Sequence, residues 1–164
     1  MPRVATIGVY GFSADTFLAA LREAGVVVLL DVRQRRGVRG PDYAWANSKR
    51  LQAGLDAAGI AYEHRRELAP TTELRRLQYA EDEREGVGKR SRVRLAAEYT
   101  ERYTREILDA VDLEGLAADL PGDGVTALLC VERDPEACHR SLIAERLAAL
   151  PRVEVEHLRP PACR

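Results

Sequence analysis

Two of the three cysteines, Cys130 and Cys138, stand eight residues apart in the stretch "LLCVERDPEACHRSLIAERL", with Glu132, His139 and Arg140 close around them. A thiolate is a nucleophile, an imidazole moves protons near neutral pH, a carboxylate accepts them, and a guanidinium holds anions. Such a set could carry out cysteine-dependent hydrolysis or group transfer. Cys130 or Cys138 would be the nucleophile or redox group, and Glu132 or His139 its proton-transfer partner. Cys138 has the more activating setting if a helix begins just before it, because a helix N-terminus and Arg140 both favour the thiolate. The competing reading is a structural one: free cysteine is among the most buried residue types, and both thiols could simply pack in a core.

A metal centre fits this spacing less well. The pattern C-x7-C-H lacks a second closely spaced cysteine pair. Adjacent residues on a helix diverge by about 100°, so Cys138 and His139 are not expected to reach one ion. Neither a metal nor another cofactor is therefore expected. With Cys163 the cysteines are odd in number, which argues for free thiols and a cytoplasmic setting rather than a disulfide framework.

The elements that must position these groups can be read from pattern. "VTALLCVE" is a strand whose period of two puts Cys130 and Glu132 on one face. Asp134-Pro135 then reads as a helix start, with Leu142, Ile143, Leu147 and Leu150 as the core stripe and Cys138 and His139 near the end of the first turn. Upstream, "VATIGV" is a strand, and "SADTFLAALREAG" is a helix capped by Ser13 or Asp15 and stopped by Gly25. The apolar run "VVVLLDVR" is a strand buried on both faces, with Asp31 and Arg33 continuing the row of Val27 and Leu29. "SKRLQAGLDAAG" reads as helix, "IAYEHR" as strand, 73–84 and 91–110 as helical, and "VEVEHL" as an edge strand. Alternating strands and helices with right-handed crossovers give an α/β three-layer sandwich, mostly parallel and Rossmann-like, expected as a single domain over residues 1–164.

In such sheets ligands bind beyond the carboxyl ends of the strands. The ligand-binding candidates lie there: Gly8, Tyr10 and Gly11 after the first strand, Asp31 and Arg33 after the second, His64 at the end of the third, and Arg140 two residues after Cys138. The two glycines could present backbone amides to an anion, or serve only as turn residues. Asp31 and Arg33 could bind substrate or pair with each other at the strand end. "TIGVYGFS" is neither a dinucleotide fingerprint nor a P-loop, which disfavours those nucleotide sites. The stretch "EGVGKRSR", residues 85–92, reads as a mobile lid whose Lys89, Arg90 and Arg92 could meet an anionic ligand.

Hydrophobic residues make up 46% and charged residues 31%, and the formal net charge is -1. That balance is ordinary for a globular chain and supplies no global field for nucleic acid or an anionic membrane. No apolar run is long enough to span a bilayer, so no membrane partner is expected. Lysine occurs only as Lys49 and Lys89, so arginine carries nearly all the positive charge.

The chain resembles, along almost its whole length, the bacterial and archaeal proteins of domain of unknown function 488. The resemblance rests on "TIGVYGFS", "GVVVLLDVR", "AGIAYEHRRELAP" and above all the C-x-E then C-H-R pattern of residues 130–140. It implies an α/β three-layer fold and a polar cluster of Asp31, Arg33, Cys130, Glu132, Cys138, His139 and Arg140. The sequence departs from that pattern in having "QRRGVRGPDYAW" where proline and serine follow the DVR segment, and Ala69 where a glycine precedes the proline of "ELAP". The first departure gathers Arg33, Arg35, Arg36 and Arg39 near Tyr43 and Trp45. Two readings follow: a thiol-dependent enzyme or binder of a small anionic ligand, and a nucleic-acid-associated module that uses the arginine-rich loop 33–45 and keeps its cysteines structural.

Overall fold

Strand β1 (Arg3–Ile7) leads through a short loop into α1 (Ala14–Glu23), and β2 (Val26–Asp31) follows. Ser13 caps α1 through a capping box with Thr16, satisfying amides that the first helical turn leaves without partners. A 3₁₀ segment (Pro41–Ala46), α2 (Ser48–Ala57) and β3 (Ala61–His64) come next, then α3 (Thr72–Glu85), α4 (Ala97–Glu106) and α5 (Leu113–Asp119). The chain ends with β4 (Val125–Leu129), α6 (His139–Ala148) and β5 (Glu154–Leu158). This computed structural model describes residues 2–88 and 90–162. Lys89 and Cys163 therefore lie outside the described residues. Among these, no helix is long and apolar enough to cross a membrane.

All strand pairings are parallel, in the order β3-β2-β4-β1-β5. The fold is thus the expected α/β three-layer sandwich. β4 lies at the centre and is buried at every residue, while β3 and β5 form half-exposed edges. Right-handed crossovers put α1 and α2 over one face and the helices after β3 and β4 over the other. In keeping with this, α6 packs against both α4 and α5. At the carboxyl end of β4 the chain therefore turns to the opposite face from the chains leaving β1 and β2. A crevice opens on both sides of one strand end, the geometry in which open α/β sheets bind ligands.

One expectation about helix extent is corrected. Residues 91–96 are not helical; α4 begins at Ala97. The preceding segment is diverted because Arg92 turns inward to a buried carboxylate, and the Ala96 amide donates to the Gln78 side chain at 2.9 Å.

β1 ends where the chain after β4 crosses it. A Cβ at Gly8 would overlap the Glu132 carbonyl and crowd the Arg140 guanidinium, so this close approach requires glycine. The Gly8→Ala variant should lose about 2–3 kcal/mol of stability, because backbone rather than a flexible side chain must move. Urea denaturation measures this, and an unchanged midpoint would refute the packing constraint.

Candidate functional site

The segment between β4 and α6 does not follow the simple helix start read from Asp134-Pro135. Pro135–Ala137 forms a 3₁₀ turn, closed by Ala137 N–H to the Asp134 carbonyl at 3.0 Å and Cys138 N–H to the Pro135 carbonyl at 3.1 Å. The chain then extends at Cys138 (φ -139°, ψ 147°), which becomes the N-cap of α6, with His139 as the first helical residue. Proline at the first helical position starts this tight turn as well as it would start an α-helix. The consequence reverses the geometric objection to a shared site. Cys138 and His139 no longer diverge around a helix, and the Cys130 Sγ, Cys138 Sγ and His139 Nδ1 all lie within 4.8 Å of one another.

His139 is held by a backbone carbonyl. Its Nε2 lies 2.8 Å from the Val32 oxygen, and only an Nε2–H can make that bond. The Nδ1 lone pair is thereby presented to the sulfurs, 3.5 Å from Cys130 and 3.9 Å from Cys138. Tyr103 packs its ring 5.4 Å from the imidazole and donates its hydroxyl to the Leu68 carbonyl at 2.6 Å. The two thiols differ electrostatically. Burial pushes Cys130 well above the ordinary thiol range, and its neighbours Cys138 and Glu132 push it further. Burial also opposes ionisation of Cys138, but the adjacent Cys130 thiol and the charges of His139 and Arg140 outweigh it, so the Cys138 pKa falls well below the ordinary value. Burial lowers the His139 pKa, yet the Cys138 thiolate more than offsets this and the net shift is upward. The shifts at Cys138 and His139 both favour moving a proton from the thiol towards the imidazole, while the shift at Cys130 favours its protonated form. The same three atoms could alternatively converge on a soft divalent ion, with the Val32 carbonyl orienting the imidazole from behind.

Three buried arginines brace this cluster. Arg33 donates Nε and one terminal nitrogen to the two Asp31 carboxylate oxygens at 2.9 and 2.8 Å, and its other terminal nitrogen to the Ala46 carbonyl at 2.9 Å. The Tyr62 hydroxyl also donates to Asp31, at 2.6 Å, and His64 Nε2 lies 2.9 Å from the Arg33 carbonyl. Arg92 pairs with Asp82 at 2.7 Å and with Glu132 at 3.3 Å, and donates to the Ala137 carbonyl at 3.0 Å. Arg140, fully buried, donates to the Glu132 and Arg133 carbonyls at 2.7 and 3.1 Å.

A cavity of about 980 Å³ opens over the cluster. Of the residues picked out from sequence, Tyr10, Arg33, Cys130, Glu132, Cys138 and His139 line it, and so do Gly88, Arg90 and Arg92 of the expected lid. Asp31 and Arg140 stand behind the lining, engaged by the contacts above. His64 supports the Arg33 backbone. The glycine loop does not offer its amides to a ligand: Val9 and Tyr10 N–H both donate to the Val131 carbonyl at 2.9 and 3.1 Å, and Gly11 N–H donates to the Tyr43 hydroxyl at 3.1 Å. The sequence reading passed over Asp82, Gln78, Arg75, Tyr99 and Tyr103. A signal for the first two was present, since Leu74, Gln78 and Asp82 recur every four residues and are the buried face of α3. Polar residues continuing an apolar stripe mark a buried network.

The Asp31–Arg33 pair is enclosed on all sides. Arg33→Met alone leaves the carboxylate buried without its counter-charge and should cost about 3–5 kcal/mol. The Asp31→Leu, Arg33→Met double variant should recover most of that. Urea denaturation of the three proteins forms the cycle, and a double variant less stable than the single would refute the strut assignment.

No curated protein and no solved structure matches the chain. The family model described as domain of unknown function DUF488 matches residues 13–147, most of the chain and all of the cluster, and the protein belongs to that family.

Proposed function

We propose that the protein is a thiol-dependent enzyme, a hydrolase or transferase acting on a small anionic substrate, with Cys138 as its nucleophile. The observation that carries this reading is the orientation of His139: the Val32 carbonyl holds Nε2–H, so that Nδ1 faces both sulfurs on the floor of the cavity, of which Cys138 is the one whose ionisation its surroundings favour. A nucleophile, a base and a group that orients the base form the recurring arrangement of covalent catalysis. His139 takes the thiol proton, and the thiolate attacks the electrophilic centre of the substrate. The sulfur bond forms as the bond to the leaving group breaks, and the imidazolium returns its proton to the departing atom. Water or a second acceptor then releases the covalent intermediate, giving up a proton to His139. Glu132, fixed by Arg92 and next to Cys130, keeps a carboxylate at the edge of this path. The reading requires both thiols reduced, as in a cytoplasm.

The arginine-rich loop gives less support to a nucleic-acid module. Tyr43 makes an edge contact with Tyr10 at 5.1 Å between ring centroids and Trp45 a tilted one with Phe17 at 4.8 Å, so both rings are half-buried against the protein rather than presented to solvent as a stacking platform.

Iodoacetamide trapping across pH, read residue by residue in native protein, tests the proposal. Cys138 should be alkylated at a pH well below the ordinary thiol range, with Cys130 reacting only far above it. His139→Gln should move the Cys138 profile upward, because the cation that stabilises the thiolate is gone. If both cysteines stay unmodified until denaturation, the thiol enzyme is refuted. Stoichiometric zinc in the purified protein, with thiols that react only after chelation, would replace it with a metal site.

A further inference from the structure

We infer that the ligand of this cavity is a small organic phosphate monoester, carrying nearly two negative charges, received by Arg35, Arg39, Arg75 and Arg90. The inference rests on reading the cavity as the substrate site, but not on the chemistry of the thiols.

The cavity wall carries a concentration of positive charge that the chain as a whole lacks. Its formal net charge is -1, yet the lining includes Arg33, Arg35, Arg39, Arg75, Arg90 and Arg92 against the carboxylate of Glu132. Two of these arginines are neutralised internally, Arg33 by Asp31 and Arg92 by Asp82 and Glu132. The other four form no ion pair with any carboxylate among the described residues. Arg75 is held by neutral partners, the Gln34 side-chain oxygen and the Tyr79 hydroxyl, both at 2.9 Å. Arg90 lies 5.0 and 5.1 Å from the centroids of the Tyr10 and Tyr43 rings and donates to the Arg39 carbonyl at 3.3 Å. Both are thus pre-oriented with their charge uncompensated. The side chains of Arg35 and Arg39 make no hydrogen bond or ion pair among the described residues.

Four uncompensated guanidinium groups around one concavity repel each other until an anion enters, and the repulsion is relieved in proportion to the anion's charge. A carboxylate brings one charge and two oxygens, enough for one guanidinium fork. A phosphate monoester brings nearly two charges and three terminal oxygens, and can engage several forks at once. A cavity of about 980 Å³ is at the upper end for small-molecule sites and leaves room for an organic group against Tyr10, Tyr79 and Tyr99. A polymer is disfavoured because the loop aromatics that would stack on bases pack inward.

Calorimetric titration of the reduced protein with phenyl phosphate, succinate and a single-stranded oligonucleotide decides the matter. Phenyl phosphate should bind saturably at one site and at least about tenfold more tightly than succinate. The Arg35→Gln, Arg39→Gln double variant should weaken it by about tenfold or more; neither side chain has an internal partner to lose, so the fold is spared. Arg105→Gln, on the exposed side of α4, should bind as the unchanged protein does. No saturable binding of phenyl phosphate, equal affinity for succinate, an unaffected double variant, or preference for the oligonucleotide would each overturn the inference. Failure here is separate from failure of the thiol reading, which alkylation of the ligand-free protein decides alone.

Discussion

Guanidinium groups taken out of water demand hydrogen-bond partners, and three of them determine how the loops beyond the sheet are arranged. Arg33 fastens the end of β2 to the 3₁₀ segment through Asp31 and Ala46. Arg92 draws α3, the segment before α4 and the β4–α6 loop together through Asp82, Glu132 and Ala137. Arg140 reaches back from α6 to two successive carbonyls of that loop. Arg92 joins segments up to 45 residues apart and Arg33 and Arg140 join nearer ones, all at the carboxyl edge of the sheet. Hydrophobic contacts could hold these loops as firmly, but a buried ion pair also fixes direction, because a planar fork accepts only a narrow range of partner positions.

The thiol cluster inherits its geometry from this bracing. Val32, whose carbonyl orients His139, lies between Asp31 and Arg33, so the strut at the end of β2 also sets the angle of the imidazole. Glu132 is held from two sides, its carbonyl by Arg140 and its carboxylate by Arg92. The Cys130 Sγ, 3.7 Å from that carboxylate, then sits where burial, Cys138 and Glu132 oppose ionisation, while at Cys138 the Cys130 thiol, His139 and Arg140 outweigh burial and favour it. Two identical groups in one small cluster are thus shifted in opposite directions, burial aside, chiefly by their contact with each other and by the carboxylate and imidazole beside them.

The sheet was legible because its strands announce themselves: apolar runs rich in β-branched residues, ended by glycine or by charge, have few alternatives in a parallel α/β domain. The convergence of Arg33, Cys130, Glu132 and Cys138 followed from strand-end placement alone. The helix start at Asp134-Pro135 misled because proline fixes φ without choosing between 3₁₀ and α hydrogen bonding, and that choice is made by where Cys138 must go. The arginines were the harder problem. Arg33 and Arg140 looked like ligand groups and are engaged within the protein, whereas Arg35 and Arg39 looked like a solvated loop and line the cavity. Residue type does not distinguish these cases, since what matters is whether a carboxylate or carbonyl comes within reach once the loops are folded.

The cavity floor and its wall therefore divide the positive charge by role. Arginines that meet acidic partners are consumed in holding the backbone, and they leave the floor polar but nearly balanced around Cys130, Cys138 and His139. Arginines that meet only tyrosine, glutamine or solvent keep their charge for whatever enters. A neutral ligand would leave that repulsion in place and displace water from guanidinium groups without replacing its hydrogen bonds, which is unfavourable in a partly enclosed site. An anion removes both costs in one step, because its charge relieves the repulsion and its oxygens take the place of the displaced water at the guanidinium donors.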